Sequence, residues 1–324
     1  MLRISILVTG GTGFIGAEIV RLLLADDGDA RVHVAHRSGN YQRILDLTER
    51  VTLHRLDLAD QSQVHALVAK TEPDVIFHFG AVLTGPGEAN PQLAIETNAI
   101  GTYALLEAAR VAGVHTVVFA SSIGTYGSEI TTVVVDDATI QRPFTVYGVT
   151  KVFGEHLGAF YKRTYGLDFR GLRYPSIVGP GVKTPSIVQH TSWIIEESAK
   201  GNPFTVAVSP EFAVPILYFK DAARAAVDLS RAPAGPIVTG TYLVDGHRPT
   251  PTAAQLVEKV RSRIPGAEIS FEPDPVMQPL LDKAIHPIDD TRARTEWGWS
   301  PGYDLDAMVD DFLAEMRVHP ERYA

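Results

Sequence analysis

Along the first 177 residues, short apolar runs alternate with stretches whose apolar positions recur every three or four residues. ISILVTG at 4–10 is a short, mostly apolar run closed by glycine, the pattern of a buried strand. AEIVRLLLA at 17–25 has helical periodicity instead. VHVAHR at 32–37, TLHRLDL at 52–58, VIFHFGA at 75–81, HTVVFASS at 115–122 and LDFRGLRYPS at 167–176 predict five further strands. Helical patterns between them cover 61–70, 94–112 and 147–165. Regular alternation of strand and helix implies right-handed crossovers and a parallel sheet covered on both faces. The expected fold class is therefore α/β, with a doubly wound parallel sheet.

The texture changes after Pro175. Residues 178–215 are rich in Gly, Pro and Thr, with one helical segment at 193–200. YFKDAARAAVDL at 218–229 reads as a strand end and helix returning to the main sheet, and GTYLVDG at 240–246 as another strand. A helix at 253–264, a strand in AEISFEP at 267–273 and a proline-rich segment follow. The expected division is a dinucleotide-binding domain over 1–177 with returns at 216–247. A smaller α+β substrate-binding lobe is expected from 178–215 and 248–324.

Composition narrows the function classes. A chain of 324 residues, 45% hydrophobic and 21% charged, can bury a large core as a globular protein. Its net charge of -9 argues against nucleic acid and anionic membranes as partners, since both call for clustered cations. The lack of cysteine excludes disulfides, thiolate catalysis and Cys-based metal sites. No apolar run reaches the roughly 18 residues of a membrane span. The apolar start is short and runs into a glycine loop, so it is not read as a signal sequence, and a cytoplasmic location is expected. The eleven histidines show no metal-ligand spacing, so no metal is expected.

GGTGFIG at 10–16 joins the first strand to the first helix. Gly10 permits a tight turn, Gly13 lets the backbone approach a pyrophosphate, and Gly16 allows close helix–strand packing. Phe14 and Ile15 open the helix, whose free N–H groups and positive dipole end suit phosphates. This is a Rossmann-type dinucleotide site. At the end of the second strand, where a carboxylate would clamp the NAD ribose, stand His36, Arg37 and Ser38. A cation and a hydroxyl there favour a 2′-phosphate, hence NADP over NAD. The alternative is that Arg37 is a solvated loop cation and NAD binds without a carboxylate clamp. Asp57, ending the third strand, suits either an adenine amino group or a cap.

The motifs TGGTGFIG, DL at 57–58, HFGA at 78–81, Asn98 in NAIGT, SSIGTYG at 121–127, YGVTK at 147–151 and RYPSIVGPG at 173–181 occur in that order. Together they resemble the extended short-chain dehydrogenase/reductase family, also called the NAD-dependent epimerase/dehydratase family. The resemblance implies Tyr147 as catalytic acid/base, Lys151 as its partner and Ser122 as binder of the substrate hydroxyl. It adds Leu58, Phe79, Gly80, Ala81, Asn98, Tyr174 and Ser176 to the cofactor site, which Tyr147 and Lys151 also touch. Leu83, Thr84, Ile123 and Gly124 fall beside the substrate. It also implies a homodimer through the helices at 94–112 and 147–165. The chemistry fits: a free tyrosine with a pKa of about 10 is a poor base, and an ammonium one turn along the helix stabilises its phenolate.

FHFGAVLTGPGEAN at 77–90, IQRPFTVYGVTK at 140–151, YGLDFRGLRYPSI at 165–177 and DPVMQPLLDKAIHPIDDTRARTEWGW at 274–299 are closer still to the short-chain-type L-threonine 3-dehydrogenases. That group oxidises the secondary alcohol of threonine with NAD. Three positions depart from it: VKTPSIVQHTSW at 182–193 has no acidic residue to pair an ammonium, AIHP at 284–287 lacks the group's tryptophan, and His36 replaces an expected Asp. A buried ammonium without a partner costs several kcal/mol. The expected substrate is therefore a related secondary alcohol or ketone other than a free α-amino acid. His190 and His286 lie in the altered segments and are candidate substrate contacts, with plain buried or surface histidines as the alternative. Trp297 and Trp299 are expected to pack in the small lobe.

A sugar-nucleotide epimerase or dehydratase is the competing reading. It calls for cations around a second pyrophosphate, and residues 182–215 contain only Lys183 and Lys200, with Arg224 and Arg248 beyond. A cofactor-binding sensor is disfavoured because the Tyr–Lys pair is present.

Overall fold

The computed structural model describes residues 4–26, 30–184 and 186–323. The first strand, β1 (Ser5–Thr9), is buried along its whole length and leads through the glycine loop into α1 (Phe14–Asp26). β2 (Arg31–His36), β3 (Thr52–Arg55), α2 (Gln61–Thr71) and β4 (Val75–His78) follow. Two short helices, α3 (Thr84–Ala89) and α4 (Pro91–Ala94), precede a π-helical turn at Ile95–Ile100 and α5 (Gly101–Ala112). β5 (Thr116–Ser122), α6 (Val146–Tyr165) and β6 (Asp168–Tyr174) complete the first half. Six of its strands and a later one, labelled below, form a seven-stranded sheet whose paired strands are all parallel.

After Pro175 come β7 (Ser176–Val178), α7 (His190–Lys200), β8 (Phe204–Val206), β9 (Ile216–Tyr218) and α8 (Phe219–Arg231). Then follow β10 (Thr241–Leu243), α9 (Ala253–Arg263), β11 (Ile269–Phe271), α10 (Met277–Ala284), α11 (Thr291–Trp297), α12 (Leu305–Val318) and the closing turn α13 (Pro320–Tyr323). The large sheet runs β10-β6-β5-β4-β1-β2-β3. Its order reverses beside β1, so the crevice outside the carboxyl ends of β1 and β4 is where a ligand belongs.

Two findings differ from the pattern of the chain. The strand expected to return to the main sheet, β9, pairs with β7 in a separate two-stranded sheet; only α8 returns, packing on α1. Trp299 and Trp297 join the core around β1, α1 and α8, not the small lobe's core. The reason is their short tether to α11, which packs on β10, where Trp297 meets Tyr242 at 6.0 Å. The small lobe has its own apolar centre from α7, β8, β9, α9 and α12, with Ile194, Val206, Tyr218, Leu256 and Phe312 inside. No described helix is long and apolar enough to cross a membrane.

Helix α6 carries the motif YGVTK, and its placement is explicit in sequence. Thr145 caps it, its hydroxyl accepting from Gly148 N–H at 3.0 Å, and Gly166 ends it in the left-handed region. A Cβ on Gly154 would stand 2.5 Å from the Phe119 ring, and one on Gly158 would overlap the Phe169 ring. The two glycines let α6 lie directly on β5 and β6, which sets how deep its first turns reach over the sheet.

Candidate active site

A cavity of about 920 Å³ opens over the carboxyl ends of the parallel strands. The glycine loop forms one end. Gly10 has φ +68°, its N–H donates to Ala35 O at 2.9 Å, and a Cβ on it would sit 2.7 Å from Gly80 N. A Cβ on Gly16 would overlap the Gly10 carbonyl. Side chains are excluded at these positions by close packing, and the backbone left bare fits a pyrophosphate at the α1 N-terminus. Phe14, Ile15, Leu58, Phe79, Gly80 and Ala81 line the same space, with Tyr174 and Ser176 further along. The neutral His78 holds this loop in place, its ring between Thr9 Oγ1 (2.8 Å) and Thr102 Oγ1 (3.0 Å); burial pulls its pKa down to about 3.

At the end of β2, His36 is turned inward. Its Nδ1 accepts from Gly39 N–H at 3.1 Å, and its Nε2 faces the Tyr41 hydroxyl at 3.1 Å. Arg37 and Ser38 are exposed on the cavity wall, and Arg37 makes no ion pair with any described residue. Arg43, which the sequence does not single out, also lines the wall. Its guanidinium lies 5.0 Å from the Phe14 ring and 5.4 Å from the Tyr323 ring, donating to Gly181 O at 2.6 Å. No local signal marks it, because loop, helix and chain end meet only in the fold.

Ser122, Tyr147 and Lys151 come together on the cavity floor. Ser122 Oγ accepts from Gly124 N–H at 3.0 Å and neighbours the Tyr147 hydroxyl. Lys151 Nζ lies 5.4 Å from the Tyr147 ring centroid, below it, and donates to Ala120 O at 2.7 Å. Burial pushes the Tyr147 pKa up to about 12, with the Ser122 hydroxyl opposing, and pulls Lys151 down to about 8, with Glu155 opposing. Ile123 and Gly124, and Leu83 and Thr84 opposite, line the space around these groups.

Beneath the trio is a buried polar network centred on Glu155, a residue outside the motifs of the sequence. Glu155 receives Ser121 Oγ, Arg173 (2.7 Å) and Gln141 (2.9 Å); Glu155 is 5% exposed and Arg173 8%. A signal for it does exist: Glu155 follows Lys151 by four residues and Tyr147 by eight, so all three share one helix face. Glu155 thus supplies the counter-charge for a buried ammonium and ties down Ser121, next to Ser122.

Three of the expected site residues lie elsewhere. Asn98, in the π turn, directs its amide to Val82 N–H (2.7 Å), Val82 O (2.8 Å) and Thr150 Oγ1 (3.2 Å), outside the cavity wall. It fastens the loop after β4 to α6. Asp57 caps its own turn, accepting from Ala59 N–H at 3.0 Å, and is absent from the wall that Leu56 and Leu58 help form. His190 is buried at the start of α7, 6.2 Å from the Phe212 ring, beside a separate small void. His286 does line the cavity.

Known proteins share this fold. Residues 6–244 match the model of the NAD dependent epimerase/dehydratase family. The chain belongs to that family. As a member it is an NAD(P)-dependent enzyme of the extended short-chain type. It is 32% identical over 316 residues to the mitochondrial L-threonine 3-dehydrogenase of Bos taurus, covering 95% of this chain and 81% of that one. Among solved structures, the GalE-like L-threonine dehydrogenase of Cupriavidus necator superposes with TM-score 0.86 at 30% identity, over 96% and 99% of the two chains. A Thermus thermophilus UDP-glucose 4-epimerase in complex with NAD reaches TM-score 0.78 at 26% identity, over 95% and 98%.

Proposed function

We propose that this enzyme interconverts a small secondary alcohol and its ketone, with NADP favoured over NAD. The reading is carried by Ser122, Tyr147 and Lys151 meeting on the floor of the cavity that the glycine loop closes, with the Lys151 ammonium 5.4 Å from the Tyr147 ring. When bound, the nicotinamide supplies the hydride acceptor for oxidation, or the hydride for reduction. Ser122 orients the substrate oxygen and Tyr147 takes its proton as the C–H hydride leaves. Lys151 steadies the phenolate through its positive charge, which the Ala120 carbonyl and the nearby Glu155 carboxylate hold in place. In the ketone direction Tyr147 returns the proton to the alkoxide.

NADP is favoured because Arg37, with no ion-pair partner among the described residues, stands on the wall at the end of β2, where no carboxylate would repel a 2′-phosphate. A substrate other than a free α-amino acid is supported by the absence of any Asp or Glu among the described residues lining the cavity. The sugar-nucleotide reading loses its offered cations: Arg224 pairs with Asp221 and Asp228, Arg248 with Asp289 and Asp290, and neither reaches the cavity. The proposal includes a cytoplasmic homodimer, the dimer supported by the exposed Ile100 at the end of the π turn, Tyr103 on α5, and Val149 and Phe153 on α6. Light scattering of the wild type against Phe153→Glu tests the dimer, which that charge should split.

The deciding experiment is NADP- and NAD-linked absorbance across β-hydroxy acids, amino alcohols, simple alcohols and UDP-sugars, with Tyr147→Phe as control. Turnover of an alcohol that the control retains in full would remove the Tyr147 mechanism.

A further inference from the structure

The glycine-loop end of the cavity is closed by three segments that meet on one arginine. Arg43 belongs to the helical turns at Gln42–Arg50 that follow β2, and its guanidinium lies between the Phe14 ring (5.0 Å) and the Tyr323 ring (5.4 Å). It donates to Pro180 O at 3.3 Å and Gly181 O at 2.6 Å, in the loop after β7. Gly181 has φ +72°, and a Cβ there would stand 2.9 Å from Arg43 Nη2 and 3.2 Å from the Tyr323 backbone. Only glycine lets the two approach this closely. Phe14, Arg43, Gly181 and Tyr323 all line the cavity. Phe14 is the first residue of α1, whose N-terminus forms the pyrophosphate cradle, so Arg43 stands beside that cradle.

The fold withholds a counter-charge from this cation. Arg43 makes no ion pair with any described residue. The carboxylates around it are engaged: Asp46 by Arg21 (2.6 Å) and Arg322 (3.0 Å), and Glu196 by Lys200 (2.7 Å) and the Gly181 N–H (2.8 Å). Burial pulls the Arg43 pKa below the usual arginine value. Its Nε bonds to no described residue and is not sealed from solvent, so one donor of the guanidinium is still open to an acceptor. The turn α13 that carries Tyr323 is itself pinned, the Tyr323 hydroxyl donating to Glu315 at 2.7 Å and Arg322 gripping the same Asp46 as Arg21 of α1.

We propose that Arg43 binds the pyrophosphate of the cofactor, as the side-chain cation that complements the bare glycine loop, and that α13 holds it in position through Tyr323. A guanidinium is a rigid fork of donors, so it can hold the Gly181 carbonyl with one edge and offer another to a phosphate oxygen. An anion beside it supplies the missing counter-charge. Arg37 is assigned the 2′-phosphate above; Arg43 serves NAD and NADP alike. The inference rests on the dinucleotide site that family membership assigns and not on the alcohol substrate or the NADP preference.

The test is binding, not turnover: calorimetric titration of the purified full chain with NADP, NAD and ADP, and adenosine by displacement of NADPH fluorescence. Arg43→Met should weaken NADP, NAD and ADP by one common factor of about tenfold or more, the worth of a charge-assisted bond, and leave adenosine unchanged. The rise in Tm on adding NAD should shrink with the affinity. Arg43→Lys should recover part of the loss, since it keeps the charge and gives up the fork. Tyr323→Leu should weaken the same three ligands by a smaller factor. Should Arg43→Met not fold, the intermediate affinities of Arg43→Lys and Tyr323→Leu carry the same pattern across the four ligands. A loss confined to NADP would put Arg43 at the 2′-phosphate, an equal loss for adenosine would put it at the base, and unchanged affinities would leave it a packing residue; each overturns the inference.

Discussion

The floor and the roof of the cavity are built on opposite principles. On the floor, β5 and α6 touch through glycines, and the polar groups below Ser122, Tyr147 and Lys151 bond to one another: Glu155 alone receives Ser121, Gln141 and Arg173. The roof is made of residues 182–184 and 186–189 with the end of α10 and the residues after it, where Gln189 and His286 keep buried polar atoms without partners among the described residues. The network around Glu155 holds a fixed reaction geometry, since a proton-transfer pair tolerates little misplacement. One family can thus keep its chemistry and change its substrate by altering loops.

The largest expected effect tests the floor directly. Tyr147→Phe removes the acid/base hydroxyl and should lower kcat by about 10²–10⁴-fold, with cofactor binding retained in a fluorescence titration. Next, Glu155→Gln breaks a buried ion pair and leaves Arg173 charged with its main partner gone. A loss of about 3–5 kcal/mol in denaturant unfolding is expected. Because Glu155 raises the pKa of Lys151, its removal should also shift the alkaline limb of the pH–activity profile to lower pH. A profile that keeps its position would show that Glu155 serves stability only.

Arg37→Ala probes the nucleotide end and should raise KM for NADP by about 10–100-fold, the value of a charge-assisted bond, with KM for NAD nearly unchanged. Equal effects on both would remove the NADP preference. The smallest effect concerns Asp137, under the floor, whose pKa burial pushes up to about 7. A raised carboxyl pKa means that the native state holds the proton more tightly than the unfolded chain. Its contribution is full below pH of about 3.8 and is lost as pH rises to about 7. Asp137→Asn should flatten that slope in thermal unfolding, and an unchanged slope would assign it to other groups.

Much of the floor is legible in the amino-acid sequence. The glycine loop, the strand ending in Ser122 and the Tyr147–Lys151 spacing are local, because a turn, a strand end and one helical turn are each set by residues adjacent in the chain. Asn98 and Asp57 are legible as positions and not as contacts: which way a short polar side chain turns depends on neighbours far away in sequence, here Val82 and Thr150 for Asn98. His190 and His286 look alike in the sequence, and the fold separates them, burying one beside Phe212 and turning the other into the cavity.

By itself, then, the sequence determined the sheet's alternating elements, the phosphate loop and the acid/base pair, all features of short range. Only the tertiary structure decided that β9 pairs with β7, that Trp299 belongs to the large core, that Glu155 meets Arg173, and that the described cavity wall contains no carboxylate. The physical reason is that a cavity wall is a sum over segments far apart in the chain, from Gly10 to His286, and a charge distribution exists only where they converge.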